Sequence, residues 1–393
     1  MQTLQDKLQK LQRKITAGET VTVMIVGLDS VGLYLLDYLV GMADPRLEIV
    51  VAGRDAKKME SDVNIVRTAA AIRGTLRSRI TIAGGCDLER VESIASILGQ
   101  YRPDLIINSS RVFAGLKYGT ISWHNLRAYG IWTPLSVRYA KNIMEAHEQA
   151  GCGAIVINTS YSDAVIPWLR SAGRAYPDFG SGNLNHLIPR MKFHLADRFG
   201  IDNLNDIDVT LAVSHFHDVV ISKEGQAEGQ DILLAASYRG GELRFDRDEL
   251  LRACRIAMPT DQKRNMMNAS SNFNIIESIL GAIRGGECRK VHSPGVLGEI
   301  GGYPFLIDAS RGPAEARFDT ARFTMEQMRE ANRRSIYLDG IEDVREGTLY
   351  YTDELLAKAD KAFGVRLPKT VRFDEIEPVG EFIIERIIRP NAQ

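Results

Sequence analysis

Cysteine is scarce in this chain. Its 393 residues contain four, Cys86, Cys152, Cys254 and Cys288, and no two form a Cys-x-x-Cys pair. Such usage argues against a disulfide framework and suits a reducing cytoplasm. Net charge is also missing: 49 Lys and Arg stand against 50 Asp and Glu, leaving −1. No basic excess supports a nucleic-acid partner. No apolar run approaches the roughly eighteen residues that a membrane span needs, and the first residues are polar and helix-forming, unlike a signal peptide. Repeats and low-complexity segments are absent too. What remains is an ordinary globular composition, 45% hydrophobic and 25% charged, with length for two or three domains.

The chain is organised around VTVMIVGLDSVGLYLLD, residues 21–37. Val21, Val23, Ile25 and Val26 make a short β-branched run, which predicts a buried strand. Gly27 to Gly32 break it, and helical spacing follows at Val31, Leu35, Leu36 and Leu39. Strand, glycine turn and helix open a dinucleotide-binding βαβ unit: Gly27 for the tight turn, Gly32 for close helix packing, and Ser30 and Val31 at a helix start whose N–H groups can meet a pyrophosphate. The middle glycine of G-x-G-x-x-G is lacking. Asp29 stands there, adding a side chain and a charge, so a turn that binds no nucleotide is the alternative.

Strands and helices then alternate. Strands are expected at residues 47–53, 80–83, 104–108, 154–158 and 208–213, and helices at 55–75, 91–98 and 135–149. This pattern means a parallel sheet with helices on both faces and a ligand crevice beyond the strand ends. Gly53, Asn108, Ser109, Asn158 and Ser160 sit at those ends. The expected class is α/β, a Rossmann-type doubly wound parallel sheet followed by an α+β substrate domain. The expected division is a helix in residues 1–20, a dinucleotide domain in 21–165, a substrate domain in 166–345 and an extension in 346–393. Leu4, Leu8, Leu11 and Ile15 form one helical stripe, either packed on the chain or a dimer contact.

At the end of the second strand an NAD site usually carries Asp or Glu. Here it is Gly53-Arg54-Asp55. Arg54 can pair with a 2′-phosphate, which favours NADP over NAD. Asp55 can equally be the cap of the next helix.

Four stretches, in order, resemble the lactate/malate dehydrogenase superfamily: the first βαβ unit; residues 154–166; residues 180–200 with 207–218; and residues 291–308 with 323–335. The resemblance implies hydride transfer on a small, acidic hydroxy or oxo substrate. It also implies a histidine acid/base held by an aspartate, an arginine for a carboxylate, and a homodimer or homotetramer. Arg190 stands where that arginine belongs, but Leu187 occupies the aspartate's place. His215 and His217 lie near, not in register with, the family histidine, and Ser160 replaces an asparagine. A second resemblance, to family-4 glycoside hydrolases, rests on Asn185-His186 and on residues 116–119. It implies a metal held with His186 and the pair His215-x-His217, both imidazoles being on one side if the segment is extended. A non-catalytic dinucleotide-binding protein is the third reading. Residues 265–274 are expected to precede a helix at 275–283, with Ser270 and Ser271 as caps. Residues 382–388 are an apolar run that needs cover.

Overall fold

A computed structural model describes residues 2–113, 115–182, 184–259 and 261–391, without the side chains of 115–118 and 120. The first half runs α1 (Leu4–Thr16), β1 (Val21–Val26), α2 (Ser30–Gly41), β2 (Leu47–Ala52), α3 (Ala56–Arg73), β3 (Arg79–Ala83), α4 (Val91–Tyr101), β4 (Leu105–Asn108), α5 (Gly115–Asn125), α6 (Thr133–Gln149), β5 (Ile155–Asn158), α7 (Ser162–Ser171) and β6 (Phe179–Gly180). Every residue of β1 is buried, as both faces of the sheet are covered. The six strands are parallel, in the order β3-β2-β1-β4-β5-β6. The order reverses between β1 and β4, where neighbouring crossovers leave to opposite faces and open a crevice. Ile94, Leu98, Ile143 and Met144 of α4 and α6 seal one face. Leu35, Leu39, Val63 and Ile279 belong to the core on the other.

The second half runs α8 (Leu184–Phe199), β7 (Ile207–Ala212), α9 (His215–Glu224), β8 (Leu233–Tyr238), β9 (Gly241–Glu242), α10 (Arg247–Ala253), α11 (Asn265–Gly285), β10 (Cys288–Pro294), β11 (Gly302–Asp308), β12 (Glu315–Phe318), α12 (Met325–Leu338), β13 (Ile341–Arg345), β14 (Thr348–Tyr351), α13 (Asp353–Phe363), β15 (Thr370–Arg372) and α14 (Ile376–Ile383). Its strands form three small sheets, whose pairs are antiparallel. The expected class, a Rossmann-type sheet followed by an α+β part, is what the chain adopts.

Three expectations are corrected. The sixth parallel strand is Phe179–Gly180; β7 instead pairs antiparallel with β8. A two-residue strand has no periodicity to read. Helix α11 begins at Asn265, so the polar stretch lies inside it and Ser270 and Ser271 cap nothing. Its polar residues are satisfied sideways: Asn272 meets Thr159 and Ser181, and Ser271 accepts from Gly182 N and Asn185 Nδ2, both at 2.8 Å. The segment from His215 is helical rather than extended.

The α1 stripe is covered by the chain itself, with Leu4, Leu8 and Leu11 buried in the main core. The apolar run near the end is covered as well. Ile383, Ile384, Ile387 and Ile388 are buried, and α14 packs on α6. No described helix is long and apolar enough to cross a membrane.

Candidate active site

The crevice begins at the first turn. Gly27 has φ +89°, a left-handed conformation open to glycine, and a Cβ there would meet Ser110 Cβ at 3.1 Å. A Cβ on Gly32 would stand 2.2 Å from the Gly27 carbonyl oxygen, so only glycine lets α2 start this close to β1. Ser109 Oγ donates to the carbonyls of Val26 and Gly27 and fixes the turn. Asp29 is the residue before α2, yet its side chain caps no helix N–H. The first-turn amides thus have no cap from the Asp29 side chain.

A cleft of about 940 Å³ runs from this turn in both directions. Gly27, Asp29, Ser30, Val31, Gly53, Arg54, Asp55, Ser109 and Ser160 all line it. Gly32 does not; it packs beneath the turn. Asn108 and Asn158 lie under the floor, where Asn108 Nδ2 donates to Asn158 Oδ1 at 2.9 Å and joins the ends of β4 and β5. Asp55 accepts from Lys58 N at 3.1 Å and is the cap of α3. Arg54 and Lys58 remain at that end of the cleft.

The opposite end holds a histidine–carboxylate pair. His215 Nδ1 lies 3.0 Å from Asp339 Oδ2, which also accepts from Tyr161 Oη at 2.7 Å. Asp339 Oδ1 accepts from Tyr129 N at 2.6 Å, and Asp163 Oδ1 from His215 N at 3.0 Å. The Tyr129 and Tyr161 rings flank the imidazole at 4.6 and 5.2 Å. Burial disfavours the imidazolium, but Asp339, then Asp163 and Asp218, outweigh it and hold the His215 pKa above its ordinary value. Burial pushes the Tyr161 hydroxyl far up, and Asp339 adds to that, so it stays a donor. Tyr161 itself sits at φ +42°, a strained backbone for a residue with a side chain.

The other expected residues are placed differently. His217 points away from His215: its Nδ1 meets Ser335 Oγ at 2.6 Å and its Nε2 the Ala227 carbonyl at 3.2 Å. Two positions apart on a helix, the two imidazoles cannot share a side. Arg190 does not line the cleft. It donates to the Cys254 carbonyl at 3.0 Å and contacts Met258 Sδ, serving the packing of α8. His186 does line the cleft, buried and neutral, its pKa pushed down to about 3 by burial and then by Arg264 and Arg190. No group of three or more His, Cys, Asp or Glu among the described residues is placed to hold a metal. Of residues 116–119, the side chains of 116–118 lie outside the described residues.

Sequence reasoning missed two polar groups and offers a third, Asp218, only as the carboxylate next to the histidines. Asp339 follows α12 and is 124 positions from His215. Arg264 lines the cleft and pairs with no carboxylate among the described residues. Asp218 is buried, with its pKa raised to about 7 by burial against the pull of His215, Arg190 and Arg264. An aspartate so perturbed in a cleft is a candidate functional group.

No protein-family model matches the chain, and no curated protein does. Solved structures do. Malate dehydrogenase from Plasmodium falciparum in complex with NADH superposes over 88% of this chain and 99% of its own, with a TM-score of 0.51 and 12% identity. A second structure of that enzyme gives 0.50 over the same shares at 12% identity. Malate dehydrogenase from Aeropyrum pernix covers 81% of this chain and 97% of its own at 15% identity, with a TM-score of 0.49. Strand order, the glycine turn and the Plasmodium superpositions agree: this chain has the lactate/malate dehydrogenase fold.

Proposed function

We propose that the protein is a nicotinamide-dinucleotide-dependent oxidoreductase acting on a hydroxy or oxo acid, with His215 as its proton donor and acceptor. One observation carries this reading. The His215–Asp339 pair lies in the same cleft as the Gly27–Gly32 turn, so a proton-transfer group and a dinucleotide cradle face one space. The turn fits the cofactor: Gly27 lines it without a side chain, and Gly32 beneath it lets α2 start close to β1. Bound there, the nicotinamide supplies or takes the hydride. The protein's part is to hold the substrate and move one proton. Asp339 fixes the tautomer by accepting a hydrogen bond from Nδ1–H, which leaves Nε2 for the substrate oxygen. Arg264 takes the carboxylate role that the spacing had given to Arg190.

Arg54 reads the 2′ position of the cofactor and favours NADP. Arg54→Ala is expected to weaken NADP about ten-fold more than NAD, as a charge-assisted bond is lost. Calorimetric titration with both cofactors checks this; equal loss for the two rejects the NADP preference. Turnover across a panel of hydroxy and oxo acids tests the reaction itself. Tight NADP and NAD binding with no turnover on any of them would favour a dinucleotide-binding protein without catalysis.

A further inference from the structure

Helix α9 carries more than His215 into the cleft. Asp218 and Ser222 are four residues apart and share one helical face, and both line the cleft. Asp218 Oδ1 and Ser222 Oγ are shut off from solvent and have no hydrogen-bond partner. His186 comes from α8, which packs on α9, and its Nε2 is in the same condition. Buried polar atoms are nearly always bonded, and three bare ones on one cleft wall need an explanation. Neither a protein group nor bulk water serves them, so the hydroxyl of a ligand or an ordered water that it would displace is the source of partners against that wall.

The chemistry of the three atoms limits that ligand. His186 is neutral, so Nε2 gives or takes one bond according to its tautomer. Asp218 stands near neutrality, with its carboxyl protonated or not by a small change of surroundings. Ser222 Oγ can do either. A hydroxyl, donor and acceptor at once, satisfies all three in every state. An ammonium group would meet the positive field that Arg264 and Arg190 impose on this wall. A carboxylate would face Asp218, and Arg264 is the better seat for it.

We infer that the substrate is a polyhydroxylated acid: beyond the reacting carbon its chain carries further hydroxyl groups that engage Asp218, Ser222 and His186, while its carboxylate meets Arg264. The inference rests on the dehydrogenase reading above and names the substrate class of that site.

The test is calorimetric titration of the whole protein, saturated with NADP or NAD, with D-gluconate, D-galactonate, D-threonate, lactate, sorbitol and serine. At least one of the three polyhydroxylated acids should bind ten-fold or more tighter than lactate, sorbitol and serine. Ser222→Ala and Asp218→Ala should each remove most of that advantage, about ten-fold for each lost bond. Lactate or serine binding as well as the best polyhydroxylated acid overturns the inference, and so does an advantage that survives both substitutions. The wild-type comparison stands if a variant fails to fold. The two readings fail separately. Tight gluconate-type binding without hydride transfer rejects the dehydrogenase and keeps the subsite, whereas turnover of lactate without preference rejects only the subsite.

Discussion

Replacing His215 by Asn is expected to lower turnover about 10²- to 10⁴-fold and to leave NADP affinity nearly unchanged. The asparagine keeps a polar group beside Asp339 but cannot exchange a proton near neutral pH. Dinucleotide affinity should hold because the Gly27 turn and Arg54 are separate from His215 in the cleft lining. The pH profile gives a second readout. Reduction needs the imidazolium, so its rate is flat at low pH and falls as pH rises through the His215 pKa. Oxidation needs the neutral ring and rises through the same value. That value lies above the ordinary one because Asp339, Asp163 and Asp218 face the ring. Asp339→Asn removes the nearest charge, so the inflection should move to lower pH as the rate drops. In the proposed mechanism Asp339 acts through His215; a merely structural role would lower the rate without moving the inflection. Full turnover in both variants, measured on a working substrate, would remove His215 from the mechanism.

The glycine-turn part of this cleft was legible because its signals are local. A β-branched run, a glycine turn and a helical stripe lie within residues 21–39, and each element forms where its own pattern says. The part around His215 was not. His215 draws its carboxylate from the end of α12, a pairing that only tertiary structure brings about. Arg190 matched by spacing, but its guanidinium turns toward a backbone carbonyl and a thioether instead of the cleft. His215-x-His217 aligns its two imidazoles only on an extended segment. As the first turn of α9 it sends one ring to the cleft and the other to Ser335 and Ala227. Period and composition fix which face of an element is apolar. They say nothing about which distant polar side chain that face will bring to a given histidine.

Lys7→Met is expected to cost about 3–5 kcal/mol of stability, although Lys7 lies far from the chemistry. Lys7 is the polar member of the buried face of α1, and it is only 3% exposed. Its Nζ sits 2.9 and 2.7 Å from the two carboxylate oxygens of Asp178, which is itself buried just before β6. Asp178 also accepts from Val156 N at 2.8 Å, so this single carboxylate joins α1, β5 and the sixth strand. Met keeps the volume and leaves the carboxylate buried without its cation. Burial already raises the Asp178 pKa, and Lys7 is the chief force holding it down. In the variant it must rise further. A carboxyl whose folded pKa exceeds its unfolded value destabilises when ionised. That penalty is full above the folded pKa and shrinks as pH falls toward the unfolded value. Denaturant unfolding should therefore show the largest loss at neutral pH and a smaller loss in mild acid. Adding Asp178→Asn to Lys7→Met should restore part of the stability at neutral pH, because the stranded charge is gone. If the single variant loses less than about 1 kcal/mol, or loses the same amount at every pH, the pair is not what ties the first helix to the sheet.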